Sequence, residues 1–368
     1  MSNIRHVLGI SGGKDSAALA IYLNRKYPQL DIEYYFCDTG RELDETYLLV
    51  QKLETILNKK IRRLKAVVNT PAGSPFDHFL EMFGGYLPST QSRWCTRKLK
   101  LEPFEKYVGD DPVVSYVGIR GDENREAYIS RKPNIQSIFP FRRNLWSEDI
   151  IRLVLNNANI AQLRNIYGDF ADPAKMEAIQ QVVKKPVSPD FNQDQKLNAL
   201  LDLGVQTFNK VVFAILKTSN YPLGQLEDYP LLDNEDVLVK EDIFRILEES
   251  GVGIPKYYHE IEFEINGKTG KYARTRSGCF FCFFQQKIEW IWLYEQHPEL
   301  FQKALEYEKD GYTWMQSERL EELIQPERIK QIKEDHLKRL EKLRDKRTDK
   351  LIDILDDDSE EGCAVCFI

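Results

Sequence analysis

The run Ile4-Arg5-His6-Val7-Leu8-Gly9-Ile10-Ser11-Gly12-Gly13-Lys14-Asp15-Ser16-Ala17-Ala18-Leu19-Ala20 decides the fold. Its first seven residues read as a strand, and from Asp15 to Lys26 the apolar Ala17, Leu19, Ala20 and Leu23 line one side of a helix. Between them, Gly12 and Gly13 leave backbone N–H groups free to approach a phosphate at the helix N-terminus. Ser11 and Ser16 add hydroxyl donors and Lys14 a charge, with each charge-assisted bond worth roughly 1.5 to 3 kcal/mol. Asp15 does not suit a bare anion cradle; its carboxylate suits Mg²⁺ held against phosphates, or a helix cap. The longer glycine-to-lysine gap of the Walker A loop is absent, so transfer of a γ phosphate is not predicted.

Outward from this loop, strands and helices alternate. Asp31 to Cys37, Ile61 to Val68 and Val113 to Ile119 read as strands, and Leu43 to Leu57 as a helix. This pattern predicts an α/β fold with a doubly wound, mostly parallel sheet. Ligands of such sheets bind at the carboxyl ends of strands, which points to Asp38, Thr39 and Gly40 after the second strand and to Arg120 and Arg125 after the fourth. The expected organisation is a nucleotide-binding α/β domain over 1–150, a helical insertion over 151–235 and a return to the first domain over 236–305. A charged helical region over 306–350 and an acidic tail over 351–368 follow.

An apolar share of 42% and a charged share of 30% are ordinary for a globular chain, and no uncharged apolar stretch is long enough to span a bilayer. Met1 runs straight into the first strand without signal-peptide features, so a cytoplasmic location with no membrane partner is expected. A net charge of −7 argues against holding nucleic acid by overall charge, although Arg93-Trp94-Cys95-Thr96-Arg97-Lys98-Leu99-Lys100 sets a thiol among four cations. Six cysteines in a reducing compartment favour metal or redox chemistry over disulfides, and four of them pair as Cys279-x-x-Cys282 and Cys363-x-x-Cys366.

The phosphate loop, Cys37-Asp38-Thr39-Gly40, Arg93 to Lys100, Gly118-Ile119-Arg120-Gly121-Asp122 and Arg276-Ser277-Gly278-Cys279-Phe280-Phe281-Cys282 together resemble the phosphoadenosine phosphosulfate (PAPS) reductase-like branch of the PP-loop ATP pyrophosphatases. The resemblance covers roughly 4–150 and 236–305, and within the branch it is nearest to the DndC-type proteins of DNA phosphorothioation. It implies an adenine nucleotide alpha hydrolase-like fold and cleavage of ATP to AMP and pyrophosphate, with Lys14, Asp15, Arg120 and Arg125 catalytic and Ser11 to Ser16 with Asp38, Thr39 and Gly40 holding ATP. It also implies DNA as substrate, or tRNA in its place, within a multi-protein phage-defence complex, and a cysteine desulfurase as sulfur donor. The intact Ser-Gly-Gly-Lys-Asp-Ser loop, usually lost from true PAPS reductases, favours ATP. Sulfonucleotide reduction, tRNA thiolation and a non-catalytic ATP-gated subunit remain as alternatives.

Cys95, Cys279 and Cys282 are the expected ligands of a [4Fe-4S] cluster, with zinc as the alternative metal. The fourth ligand is open between Cys37, Cys363, Cys366 and none.

Overall fold

The computed structural model describes residues 4–123, 130, 132–309 and 311–345. Five parallel strands form the central sheet: β1 (Arg5–Gly9), β2 (Ile32–Cys37), β3 (Ile61–Leu64), β4 (Val113–Tyr116) and β5 (Ile135–Ile138). Their spatial order is β3-β2-β1-β4-β5, with His6 opposite Ile32 on one side and Val114 on the other. Because side chains alternate along a strand, each strand serves two cores. Leu8, Tyr34, Phe36, Val114 and Tyr116 meet α1 (Lys14–Lys26) and α2 (Asp44–Leu57), while Val7, Tyr35, Cys37 and Val113 meet α5 (Glu102–Val108) through Phe104 and Val108. Helices on both faces bear out the doubly wound expectation.

Two strand readings need correction, and one strand is additional. β3 stops at Leu64, short of Val68, and Val68 is exposed. β4 stops at Tyr116 because a tight turn from Ile119 N–H to Val117 C=O takes the chain out of the sheet. β5 was not expected, since Ile135-Gln136-Ser137-Ile138 is too short and mixed to show a strand period.

Between α2 and β4 the chain also forms α3 (Pro75–Met82) and α4 (Trp94–Thr96), which runs through a π-helical turn, Arg97–Leu101, into α5. The helical stretch after β5 comprises α6 (Glu148–Val154), α7 (Ile160–Phe170), α8 (Met176–Lys184), α9 (Gln193–Leu203) and α10 (Val205–Leu216). Leu163, Val183, Phe208 and Val212 join the same cluster as the sheet's α1 face, so these helices enlarge one core. Among the described residues no single helix is long and apolar enough to cross a membrane; α9 and α10 meet at a 118° bend.

After α11 (Lys240–Glu249), an antiparallel hairpin of β6 (Ile261–Ile265) and β7 (Lys268–Tyr272) leads to α12 (Lys287–Gln296), α13 (Pro298–Glu306), α14 (Leu320–Leu323) and α15 (Pro326–Asp345). These elements enclose a second, aromatic core of Phe76, Trp94, Tyr257, Phe281, Trp290 and Trp314.

Candidate functional site

The sheet order reverses between β1 and β4, and the loops leaving those two strands face one another there, the crevice where open α/β sheets bind ligands. The β1 loop is braced by its own serines. Ser16 Oγ accepts from Ser11 N–H at 3.1 Å, shares a hydrogen bond with Ser11 Oγ at 3.0 Å and donates to Gly13 C=O at 3.2 Å.

Asp15 does not face open ligand space. It is 5% exposed, with Oδ1 2.8 Å from Arg120 Nη1 and Oδ2 3.4 Å from Lys14 Nζ. Arg120 also meets Asp122 at 2.9 Å and Glu123 at 2.7 Å. Burial pulls the pKa of this guanidinium down, but Asp15 and Glu123 outweigh it and hold the pKa above its ordinary value. A phosphate arriving here would exchange partners with these carboxylates instead of meeting a bare cation. Arg125 lies outside the described residues.

Beyond β2, Asp38 and Thr39 find their partners at their own strand end and in the cysteine loop. Asp38 accepts from Gly40 N–H and Tyr47 Oη and pairs with Lys65 at 3.5 Å. Thr39 Oγ1 donates to Glu42 at 2.6 Å and lies 3.2 Å from Cys279 Sγ. Glu42, which sequence reasoning passed over, is a buried carboxyl whose pKa is raised by burial, partly opposed by its bonds from Thr39.

The cysteine loop is stitched to this corner. Cys279 bridges Glu42, and Phe280 N–H donates to Arg41 C=O at 2.9 Å. Burial first, then the Glu42 carboxylate, push the Cys279 thiol pKa well up. Cys282 N–H donates to Gln285 at 2.6 Å. Cys95, on α4, borders the same aromatic core as Cys279, where Phe76 contacts both Trp94 (5.2 Å) and Phe281 (4.5 Å). The structure thus brings the Cys95 helix and the Cys279–Cys282 loop against one core. Yet among the described residues no group of three or more His, Cys, Asp or Glu side chains is close enough to hold a metal ion. As placed, the thiols are not a finished ligand set. Cys37 ends β2 inside the third core, its thiol 3.6 Å from Lys100 C=O and pushed up by burial to about 12. Cys363 and Cys366 lie outside the described residues.

Sequence reasoning also missed Tyr257, Tyr258 and Ser277. Tyr257 Oη donates to Gly12 C=O at 2.6 Å, and Tyr258 Oη accepts from Lys14 N–H at 3.3 Å. Only the nearness of Ser277 to Cys279 along the chain was a signal; the tyrosines gave none.

Residues 5–152 match the family described as the phosphoadenosine phosphosulfate reductase domain. The chain is 34% identical over 146 residues to an uncharacterized protein of Methanocaldococcus jannaschii, covering 36% of this chain and 28% of that one. It is 29% identical over 154 residues to an uncharacterized nin region protein of Escherichia phage lambda, covering 36% and 52%. A second uncharacterized M. jannaschii protein is 28% identical over 195 residues, covering 50% and 45%. The chain spans about half or less of the length of these relatives. No solved structure matches it. The sheet order agrees with this match: residues 5–152 are similar to the PAPS reductase domain of the PP-loop superfamily.

Proposed function

We propose that the chain binds Mg-ATP across the Ser11–Ser16 loop and splits it between the α and β phosphates to activate a substrate oxygen for sulfur transfer. The observation that carries this reading is the serine-braced loop at the α1 N-terminus, set at the sheet's switch point opposite Arg120 and beside the Cys279 loop. A substrate oxygen attacks the α phosphorus, pyrophosphate leaves, and the oxygen becomes part of an AMP leaving group. A sulfur nucleophile then displaces AMP. Lys14 and Arg120 offset charge developing on pyrophosphate, with Arg125 as a further candidate, and Asp15 exchanges its two cationic partners for Mg²⁺. Asp38, Thr39 and Gly40 line the neighbouring strand end.

We further propose Cys95, Cys279 and Cys282 as ligands of an iron–sulfur cluster, for which they would have to close on one another. Such a group, when bound, would hold or relay sulfide; zinc is the alternative occupant. A cysteine desulfurase is the proposed sulfur donor, and Cys363 and Cys366 are candidate relay thiols.

The proposed substrate is a nucleic acid, DNA backbone before tRNA. Its support is the basic run of Arg93, Arg97, Lys98 and Lys100 in a chain of net charge −7, of which Arg97 and Lys98 pair with Glu102. Arg93 and Arg276 both lie over the Phe284 ring, at 5.0 and 5.5 Å.

Asp15→Asn and Ser11→Ala should each lower pyrophosphate release from ATP by at least about 10²-fold, the scale of losing one preorganised electrostatic partner. Turnover at the wild-type rate in both would end the assignment. Arg93→Ala should reduce the salt slope of nucleic-acid binding by about one; an unchanged slope removes Arg93 from the phosphate-contacting residues. The competing reading, sulfonucleotide reduction, rests on the family description; sulfite formed from PAPS and a dithiol reductant, without pyrophosphate release from ATP, would establish it in place of this one.

A further inference from the structure

The phosphate loop is covered by hydroxyls from the far end of the chain. Lys14 N–H is the kind of helix N-terminal donor an anion uses, and it is already taken by Tyr258 Oη at 3.3 Å, with the Lys14 ammonium 4.9 Å over that ring. Gly13 has no side chain because the space is filled: a Cβ there would lie 2.8 Å from Ser277 Oγ, 3.3 Å from Ser11 Oγ and 3.5 Å from Tyr258 Oη. Ser277 Oγ also reaches Ser11 C=O at 3.5 Å. Three hydroxyl oxygens therefore converge on one point above the loop.

Two of these covering bonds are long and between neutral groups. A phosphate oxygen in the same place would accept charge-assisted bonds roughly twice as strong. The exchange is thus favourable for a phosphate, and it requires Ser277 and Tyr258 to yield space. Ser277 is one residue from Gly278, whose φ of 102° is a glycine-only conformation suited to a hinge, and two from Cys279. Cys279 is held by Thr39 at 3.2 Å, by Phe280 N–H on Arg41 C=O at 2.9 Å, and by Arg274 Nη2 on its own C=O at 3.1 Å.

We propose that Ser277 and Tyr258 are positioning residues that occupy the seat of a nucleotide phosphate, and that a phosphate entering this seat displaces them and frees the Cys279 loop from Thr39 and Arg41. The inference rests on the nucleotide-binding reading above and adds a coupling to it: the Cys279 loop is held on Thr39 and Arg41 while Ser277 and Tyr258 sit over Gly13, and it is released when a phosphate displaces them. Ordering of the two half-reactions follows, because sulfur chemistry at Cys279 would wait for ATP.

Hydrogen exchange on the full chain tests it, with Mg-ATP and with ATP plus chelator. Filling the seat should slow exchange across residues 11–16 and speed it at least fivefold across residues 276–285, where Phe280 N–H loses its acceptor. Slower exchange at 11–16 together with unchanged or slower exchange at 276–285 overturns the coupling while leaving nucleotide binding intact. A second arm needs no nucleotide. Ser277→Ala and Tyr258→Phe remove the covering hydroxyls and should each speed exchange at 276–285 in free protein, whereas wild-type exchange in both overturns the proposal even if ATP does not bind. Failure of the nucleotide-binding reading itself appears separately, as no change at 11–16 with ATP.

Discussion

Cys37 and Cys279 both keep their protons above the ordinary thiol range, burial being the larger cause in each. They differ in the second cause: Lys100 pulls Cys37 back down, while the Glu42 carboxylate pushes Cys279 further up. Glu42→Gln should therefore favour the Cys279 thiolate and speed its alkylation at pH 8 by about two- to tenfold, since one pKa unit is tenfold in thiolate. Mass-spectrometric alkylation rates would check this; Glu42 also raises the Cys37 thiol, but behind burial and Lys100, so the gain should be smaller there, and an equal or larger gain at Cys37 would count against the ranking. At this scale the loop from Ser11 to Ser16 was legible because its chemistry is contiguous. Glu42, Tyr258 and Ser277 were not, because a carboxyl gains meaning only beside a thiol 237 positions away, and Tyr258 meets Lys14 across 244 positions.

Helix α15 shows how a charge-rich segment can be tied down. Glu318 accepts from Arg328 Nε at 2.8 Å and Nη2 at 2.7 Å, and also pairs with Lys287 at the start of α12. Arg328 chiefly, then Lys287, holds its carboxyl down at about 2, below the roughly 4.3 of an unfolded glutamate. A depressed carboxyl stabilises the fold in full above the unfolded value and loses that contribution as pH falls from about 4.5 to about 2. Acid titration followed by tryptophan fluorescence should show stability falling in that window. Glu318→Gln should flatten the fall and cost roughly 1 kcal/mol at pH 7; a variant with the wild-type acid profile would remove Glu318 as the tie. The charged helical region is not solvated all round, because Ile332 and Leu337 are buried and Lys333 lies 5.6 Å over Phe263. The β6–β7 hairpin went unread although its signal was present: Ile261-Glu262-Phe263-Glu264-Ile265 alternates, and Asn266-Gly267 both take positive φ, the primed turn that hairpins prefer. β5 left no comparable mark.

The whole molecule rests on two large apolar clusters, one beneath the sheet and the helices through α11, the other joining α3 and α4 to the C-terminal elements. The candidate site lies at their seam, since α1 packs in the first while Phe280 and Phe281 pack in the second. Phe281 is 2% exposed and touches Phe76, Tyr307 and Trp314 at 4.5 to 5.1 Å. Phe281→Ala should cost about 3 to 5 kcal/mol and loosen the cysteine loop before the sheet. Calorimetry with hydrogen exchange would register this as a lower midpoint and faster exchange at 276–285, with β1 unchanged; uniform loss across both clusters would mean they melt as one. The seam could not be read from sequence, because each cluster draws residues from distant stretches and neither has a period of its own.

The cover over the phosphate loop also has a history within each molecule. Lys14 leaves the ribosome 244 residues ahead of the Tyr258 hydroxyl that caps its N–H. At about 5 to 20 residues per second, the loop waits roughly ten to fifty seconds for its cover. In the later part of that interval, once β4 has joined β1, a nascent chain would hold the Ser11–Ser16 loop in its sheet without this cover, so on the nucleotide reading proposed above a first ligand would meet the loop before Tyr258 is made.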